Sequence, residues 1–448
     1  MKHIQRWLRN IIGIILLLDS SSYPCSIVGY IGQNLCKEFI EQGLARLEYR
    51  GYDSAGFACL NEQKKLIVIK AEGKLEALKE KLKKNPNNGT IGIGHTRWAT
   101  HGAPSEVNAH PHMDEHKNVA IVHNGIIENY FQLKRQLEQE GHVFVSETDS
   151  EIIPHLLQFN RERDETLQEA IIHTVKSLNG SFSFLGIMPS DPETLIVARK
   201  TAPLSIGVGD HEMFVASDFF AYLGKTNKVL FMPDKSFALV TKDVISLYSF
   251  DGTPLPLVFK KLDIAPEAYQ KLGHEHYMIK EIYEQRKVIH AAVNYYKSLG
   301  SGVWKLLGIT PEYARDLKSV HMFGCGTSWH AARIGQFFFE IITGIPSATH
   351  LGSEFRYMPF FTSPNSLYIA ISQSGETADT LESLRMINLV GIPTVTLTNV
   401  PSSTMARESC GHLPLKAGPE IAVASTKAFT TQITALYWLA HFLALEKG

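Results

Sequence analysis

The chain has 448 residues, of which 44% are hydrophobic and 20% are charged, and its formal net charge is −1. This composition is typical of a globular protein with a large buried core, and the length allows about three domains. A nearly neutral chain gives no electrostatic reason to expect nucleic acid or an anionic membrane as a partner.

The five cysteines form no CxxC pair, which favours a reduced, cytoplasmic protein over a disulfide framework. The nineteen histidines show no metal-ligand spacing such as HExxH. We therefore expect neither a metal nor a cofactor.

The first 24 residues differ from the rest of the chain. Lys2, Arg6 and Arg9 precede an apolar run at 11–18 and a polar stretch at 19–22. This order is typical of a secretory signal, although the apolar run is too short to span a bilayer. An amphipathic extension is the alternative, because apolar residues in this segment also recur at helical spacing. We expect residues 1–24 to be an N-terminal extension of unassigned role.

Residues 25–245 predict an α+β domain built on antiparallel sheets, because short β-like runs alternate with loops rich in Gly, His and Asn. The predicted strands include 26–31, 66–69, 119–122 and 194–197, and the predicted helices include 39–47 and 151–158.

Residues 246–310 are mixed in pattern and predict a linker with a helical patch at 278–296. From 311 to 448, apolar strands alternate with amphipathic helices, which predicts an α/β domain with a doubly wound parallel sheet. The predicted strands are 320–323, 367–372 and 394–398, and the predicted helices are 330–342, 378–389 and 427–445.

Three segments of the first predicted domain are dense in polar residues. They are HTRWATHG at 95–102, HNGIIEN at 123–129 and SETD at 146–149. Splitting an amide by acyl transfer requires a nucleophile, donors for the oxyanion and groups that hold the charged end of the substrate. Any one segment alone is equally well explained as a loop.

Five residues are candidates for these roles. Cys25 leads an apolar strand and is the candidate nucleophile. Asn124 and the backbone amide of Gly125 are candidate oxyanion donors. Arg97 suits a bidentate grip on an α-carboxylate, and Asp149 suits an α-ammonium group.

Together with RLEYRGYDSAG at 46–56, these segments resemble the class II glutamine amidotransferases, which are N-terminal nucleophile hydrolases. From Cys25 onward the chain is most similar to the family of isomerizing glutamine–fructose-6-phosphate aminotransferases, also called glucosamine-6-phosphate synthases. The resemblance implies a catalytic nucleophile at Cys25 and an oxyanion hole at Asn124 and Gly125. It also implies glutamine binding by Arg97, Thr100, His101 and Asp149, an ammonia gate at Trp98 and His110 close by.

Two loops of the second predicted domain suit a phosphate. GCGTS at 324–328 and SQSGET at 372–377 each follow an apolar strand and open a helix, where backbone amides and the helix dipole favour an anion. A tight turn is the alternative for either loop alone. With VASTK at 423–427, the second loop resembles the sugar isomerase (SIS) domain of the same family. The resemblance implies a sugar-phosphate site formed by Thr327, Ser372, Gln373, Ser374 and Thr377 and lined by Val423 and Ser425. We interpret Lys427 as structural.

The resemblance implies that the amide nitrogen of L-glutamine is transferred to D-fructose 6-phosphate, giving D-glucosamine 6-phosphate and L-glutamate for hexosamine biosynthesis. It also implies a homodimer. The chain departs from the family at three points. Twenty-four residues precede Cys25, Ser26 replaces a glycine, and one SIS domain is recognised where the family has two, the second of which carries the isomerase groups.

A catalytically inactive phosphosugar-binding or subunit-interaction protein is the alternative function. A bare glutaminase, or an amidotransferase with another acceptor, is a third.

Overall fold

The computed structural model describes residues 25–48, 51–85, 88–98, 102–163, 166–262, 271–358, 365–401, 403–422 and 424–448. The expected extension at 1–24 lies outside these residues. The described chain divides into two compact units, which span 25–262 and 271–448.

The first unit contains two sheets in which every strand pairing is antiparallel. The larger sheet consists of β1 (Ser26–Ile31), β2 (Ser54–Leu60), β3 (Leu66–Glu72), β4 (Ile91–Arg97), β9 (Ser205–Val208), β10 (Met213–Ala216), β11 (Lys228–Phe231) and β14 (Phe259–Lys261). The smaller sheet consists of β5 (His112–Met113), β6 (Ala120–Ile127), β7 (Gly180–Ile187), β8 (Leu195–Lys200), β12 (Ser236–Val240) and β13 (Ile245–Ser249). The orders are β14-β11-β9-β10-β1-β4-β2-β3 and β13-β12-β8-β7-β6-β5.

The helices of the first unit are α1 (Cys36–Leu47), α2 (Leu75–Lys84), α3 (Tyr130–Gln139), α4 (Ile152–Arg161) and α5 (Leu167–Ser177). Helix α5 begins at a capping box that Thr166 and Glu169 form.

One core lies between the two sheets, with Ile27 and Ile93 of the larger sheet packed in the same cluster as Val122 and Leu185 of the smaller. A second core joins β6, β7 and β8 to α3, α4 and α5. The prediction of an α+β unit built on antiparallel sheets is confirmed.

The second unit contains one parallel sheet with the order β16-β15-β17-β18-β19. Its strands are β15 (Ser319–Gly324), β16 (Ser347–Leu351), β17 (Ser366–Ile371), β18 (Thr394–Thr398) and β19 (Gly411–Pro414). Its helices are α6 (Tyr277–Leu299), α7 (Val303–Leu306), α8 (Pro311–Arg315), α9 (Thr327–Thr343), α10 (Gly352–Phe355), α11 (Ala378–Leu389), α12 (Thr404–Glu408) and α13 (Lys427–Lys447).

Helices pack on both faces of this sheet. The cluster on one face includes residues of α6, α9 and α13, and the cluster on the other face includes residues of α11 and α12. The predicted doubly wound parallel sheet is confirmed. Among the described residues, none of the helices combines the length and the hydropathy that a membrane span requires.

The structure differs from the predicted linker at 246–310. Strand β13 continues to Ser249, and β14 pairs with β11, so that residues up to 262 belong to the first unit. Helix α6 contributes the fully buried Ala292 and Tyr296 to the core of the second unit. The sequence pattern is weak here because β14 is short and mostly lysine, and because few positions of α6 are buried.

Candidate functional site

A small cavity lies in the first unit, beside Cys25 at the start of β1, the end of β4 and the strand β6. Five of the predicted site residues line it, together with His110 and three residues that had no predicted role. The lining residues are Cys25, Arg97, Trp98, His110, His123, Gly125, Thr148, Asp149 and Ser150. Thr100 and His101 lie outside the described residues.

The pairing of β1 with β4 brings Cys25 to the far end of β4. Ser26 pairs with Thr96, so Cys25 lies next to Arg97 and Trp98. The backbone amide of Trp98 donates to Cys25 Sγ at 3.2 Å, and the thiol lies 3.5 Å from the Trp98 carbonyl. The Ser26 side chain is buried, and its hydroxyl donates to the carbonyl of Leu47 at 3.0 Å, so the fold accommodates this serine.

The side-chain amide of Asn124 is held in one orientation. Its Nδ2 donates to the carbonyl of Cys25 at 3.0 Å, and its Oδ1 lies 3.0 Å from His95 Nε2. The same nitrogen of His95 lies 3.0 Å from the carbonyl of His123. Because both neighbours are acceptors, His95 Nε2 carries the proton and Asn124 points its NH₂ group towards Cys25.

Gly125 has a backbone conformation that a side chain would disrupt. Its φ is +130°, and a Cβ at this position would lie 2.0 Å from the carbonyl oxygen of Ser181 in β7. Glycine is therefore required here for two reasons, the sign of φ and the close approach of β7.

Two buried side chains of opposite charge line the same cavity. The Arg97 guanidinium donates to the carbonyl of Gly102 at 3.1 Å. The Asp149 carboxylate accepts from the amide of Ile127 at 2.6 Å and from the hydroxyl of Ser150 at 3.3 Å. A cation and an anion in one small cavity suit a zwitterionic ligand such as a free amino acid.

Three buried histidines, His95, His110 and His112, pack together near Cys25. The ring of His110 stacks on that of His95 at 4.1 Å and contacts that of His112 at 4.5 Å. Burial lowers the pKa of His95 to about 3 and lowers the pKa of His110 and of His112 well below the usual value. These rings are therefore neutral at physiological pH and act as hydrogen-bonding groups rather than charges.

Trp98 lies at the edge of the cavity with 43% of its surface exposed. Its ring contacts that of Tyr52 edge-on at 5.2 Å. The Tyr52 ring therefore packs against the Trp98 side chain, part of which is exposed to solvent.

A second cavity, of about 200 Å³, lies in the second unit beyond the carboxyl ends of β15 and β17. Six of the seven predicted residues line it, and Val423 lies outside the described residues. Ser328, Glu420 and Ala422 also line it and were not predicted. The lining residues are Thr327, Ser328, Ser372, Gln373, Ser374, Thr377, Glu420, Ala422 and Ser425.

Hydroxyl groups shape the loop between β17 and α11. The hydroxyl of Ser372 accepts from the amide of Gly375 at 2.9 Å and lies 3.0 Å from that of Thr377. Gly375 has a φ of +67°, and a Cβ there would lie 2.2 Å from the hydroxyl of Ser403. Thr327 is the first residue of α9. The cavity therefore faces helix N-termini and hydroxyls, an arrangement that suits a phosphate.

Two carboxylates bind the first residues of α13, and one of them, Glu420, also lines this cavity. Glu420 accepts from the amides of Thr426 and Ala428 at 2.9 and 3.0 Å. The carboxylate of Glu420 therefore caps the N-terminus of α13. Lys427 is buried, and its Nζ lies 2.5 Å from Glu284 Oε2, an ion pair that agrees with a structural role.

Comparison with known proteins gives matches over both units. Residues 95–223 match the family model of the glutamine amidotransferase domain, and residues 315–442 match that of the SIS domain. The glutamine–fructose-6-phosphate aminotransferase [isomerizing] of Clostridium tetani is 42% identical over 426 residues, which are 95% of this chain and 69% of that protein. The protein of the same name from Aquifex aeolicus is 44% identical over 93% of this chain and 69% of its own length.

The chain belongs to the family of isomerizing glutamine–fructose-6-phosphate aminotransferases. The family resemblance inferred from the motifs is thereby confirmed. A third member, from Methanosarcina acetivorans, is 43% identical over 94% of this chain and 70% of its own length.

Among solved structures, the C-terminal domain of glucosamine-fructose-6-phosphate aminotransferase from Francisella tularensis is 37% identical. It covers 40% of this chain and 50% of that chain, with a TM-score of 0.37. Glutamine phosphoribosylpyrophosphate amidotransferase from B. subtilis is 20% identical over 84% of this chain and 81% of that chain, with a TM-score of 0.46.

Sequence reasoning missed some residues of each cavity in this aminotransferase family member. Thr148 directly precedes Asp149, and His123 begins one of the polar segments. Their positions in the sequence could therefore have indicated that they line the first cavity. Glu420 gave no such indication, because an acidic residue does not fit the usual pattern of a phosphate site.

Proposed function

We propose that the chain transfers the amide nitrogen of L-glutamine to D-fructose 6-phosphate, giving D-glucosamine 6-phosphate and L-glutamate. The observation that carries this proposal is that Cys25, the buried Arg97 and the buried Asp149 line the same cavity. Glutamine has a group for each of them. Its α-carboxylate would bind Arg97, its α-ammonium would bind Asp149, and its amide carbon would then face Cys25 Sγ.

In the proposed first reaction, Cys25 Sγ attacks the amide carbon of glutamine. The oxyanion of the tetrahedral intermediate would accept from Asn124 Nδ2, which has a second proton beyond the one given to the Cys25 carbonyl, and from the Gly125 amide. Collapse breaks the C–N bond, releases ammonia and leaves a thioester, which water cleaves to glutamate. Trp98, at the rim of the cavity, is proposed to gate the ammonia.

Cys25 needs a base to accept its proton, and the nearest one available to an N-terminal nucleophile is its own α-amine. In the printed sequence this nitrogen forms a peptide bond with Pro24 and has no basic lone pair, because the lone pair is delocalised into the carbonyl. We therefore propose that glutamine hydrolysis requires Cys25 to be the first residue of the working protein.

The second cavity is proposed to bind fructose 6-phosphate. The phosphate would accept from the hydroxyls of Ser372, Ser374 and Thr377 and from the amide end of α9 at Thr327. Gln373, Val423 and Ser425 would contact the sugar. Binding would rest on neutral donors and helix dipoles, since no lysine or arginine lines this cavity in the described residues.

The domain limits, the assembly and the location also belong to this proposal. We propose that the first unit, 25–262, is the amidotransferase domain and that the second unit, 271–448, is the SIS domain, in a cytoplasmic homodimer. All five cysteines lie in described residues and none forms a disulfide, which supports a reducing compartment.

The proposal is tested by incubating a purified chain that begins at Cys25 with both substrates and measuring glutamate and glucosamine 6-phosphate by mass spectrometry. We expect Cys25→Ala to abolish glutamate release and Ser374→Ala to weaken fructose 6-phosphate binding without affecting glutamate release. If neither product forms while fructose 6-phosphate still raises the melting temperature, the chain is a phosphosugar-binding protein instead.

A further inference from the structure

Three potential metal ligands of the first unit converge at a place outside both cavities. Glu115 follows β5, His142 follows α3 and His155 lies on α4. One ligand atom from each lies within 4.8 Å of the others. The site is partly shielded from water, since the side chains of His155, His142 and Glu115 are 1%, 10% and 18% exposed.

The distances between these atoms are close to those of a shared cation. His142 Nδ1 lies 3.3 Å from His155 Nδ1. Glu115 lies 2.9 Å from His142 Nδ1 through Oε1 and 2.8 Å from His155 Nδ1 through Oε2. A tetrahedral Zn²⁺ with bonds of about 2.0–2.1 Å separates its ligand atoms by about 3.3 Å, so the nitrogen pair already fits and a small rotation of Glu115 fits the oxygen.

The hydrogen-bonding state of His155 gives an independent reason to expect a cation. Its Nε2 is buried without a hydrogen-bond partner and lies 3.7 Å from Glu151 Oε1. If Nδ1 carries the proton of the neutral ring, the Nε2 lone pair faces the Glu151 carboxylate. If Nε2 carries it, the Nδ1 lone pair faces Glu115 Oε2 at 2.8 Å. Each neutral form therefore leaves two acceptors facing each other.

A metal ion on Nδ1 removes this conflict. It accepts the Nδ1 lone pair, shares the Glu115 carboxylate and leaves the Nε2 proton directed at Glu151. This is the usual arrangement in which a carboxylate orients a histidine ligand from behind. Two imidazole nitrogens and one carboxylate suit Zn²⁺ or a similar transition metal, whereas Mg²⁺ and Ca²⁺ prefer oxygen ligands.

We propose that Glu115, His142 and His155 form a binding site for Zn²⁺ or a related divalent transition metal, with water as the fourth ligand. His142 and His155 lie on either side of the segment that carries Asp149. Metal binding would therefore fix both ends of this segment and reduce its local opening. No spacing motif indicates this site, because its ligands come from three separate segments of the chain.

The proposal is tested with the full chain after chelator treatment and dialysis, titrated with ZnCl₂ in a calorimeter. We expect one Zn²⁺ per chain, a rise in melting temperature and slower hydrogen exchange at 142–155. His142→Ala and Glu115→Gln should each weaken binding by about 100-fold, since removing a ligand costs at least as much as removing the residue behind it. His173→Ala, an exposed histidine of α5, is the matched control and should bind as the parent does.

These variants avoid the buried His155, whose replacement could unfold the unit. Tetrahedral Co²⁺ gives intense visible absorption, so a Co²⁺ spectrum that is lost in both ligand variants would support the same site. The proposal is wrong if the chain binds no Zn²⁺, or if both ligand variants bind it as tightly as the control.

Discussion

Gly125→Ala tests whether the proposed oxyanion donors in β6 depend on a close approach between β6 and β7. The added Cβ would lie 2.0 Å from the carbonyl oxygen of Ser181 and 2.8 Å from the Cα of Phe182. These are backbone atoms of a paired strand, so they cannot move aside as a flexible side chain would. The φ of +130° adds a conformational cost for any residue with a side chain.

The two costs can be estimated separately. A side chain held at an unfavourable φ costs about 1–3 kcal/mol, and overpacking in a fixed environment costs about 1–3 kcal/mol. We therefore expect Gly125→Ala to lower the free energy of unfolding by about 2–6 kcal/mol. Gly73→Ala is the matched control. Gly73 has a φ of +87° with no atom within 4 Å of the new Cβ, so this variant has only the conformational cost.

Because the chain has two units, stability is best measured locally, by hydrogen exchange of the β6 and β7 amides. Glutamate release by a chain that begins at Cys25 provides a second readout. We expect it to fall by about 100-fold or more in Gly125→Ala, since a displacement of about 1 Å at a reacting group has that effect. Equal protection and equal activity in the two alanine variants would refute the close approach as the reason for this glycine.

Two further predictions concern the buried histidines and the second cavity. The first unit should lose stability as the pH falls from about 6.5 towards 3, because the pKa of His95 is about 3 when folded and the unfolded chain takes up the proton first. His95→Gln should reduce the slope of the free energy of unfolding against pH by up to about 1.4 kcal/mol per pH unit. His173→Gln, at an exposed position, is the control. A slope in His95→Gln no lower than in this control would contradict the low pKa of His95 in the folded chain. Gly375→Ala should weaken fructose 6-phosphate binding at least about 10-fold in calorimetry, because a Cβ 2.2 Å from the hydroxyl of Ser403 distorts the loop. The control Gly391→Ala, with a similar φ and open space, should bind normally, and equal affinities would count against this loop as the phosphate site.

The elements of both units were largely predictable because their hydrophobic periods are clear. The predicted helix at 378–389 has the bounds of α11, and the predicted strand at 394–398 has those of β18. The linker prediction at 246–310 differed from the structure because β14 is stabilised by pairing with β11, and such a partner is not visible in a local pattern.

The candidate sites were predictable where their residues occur in dense segments. Asn124 and Gly125 are adjacent, and Ser372, Ser374 and Thr377 lie in one loop, so the motif itself brings them together. The cluster of His95, His110 and His112 is different. His95 lies on β4, whereas His110 and His112 come from the segment that leads into β5, and the two segments are in contact only in the folded chain. Spacing along a sequence does not show a contact between distant segments.

The central claim is that Cys25 splits glutamine with its own α-amine as the base. The most direct measurement compares glutamate release by three proteins: the printed chain with Met1 verified by mass spectrometry, a chain that begins at Cys25, and the latter with Cys25→Ser. We predict rapid release only from the chain that begins at Cys25. Equal release from the printed chain, with the Pro24–Cys25 bond intact, would contradict the claim.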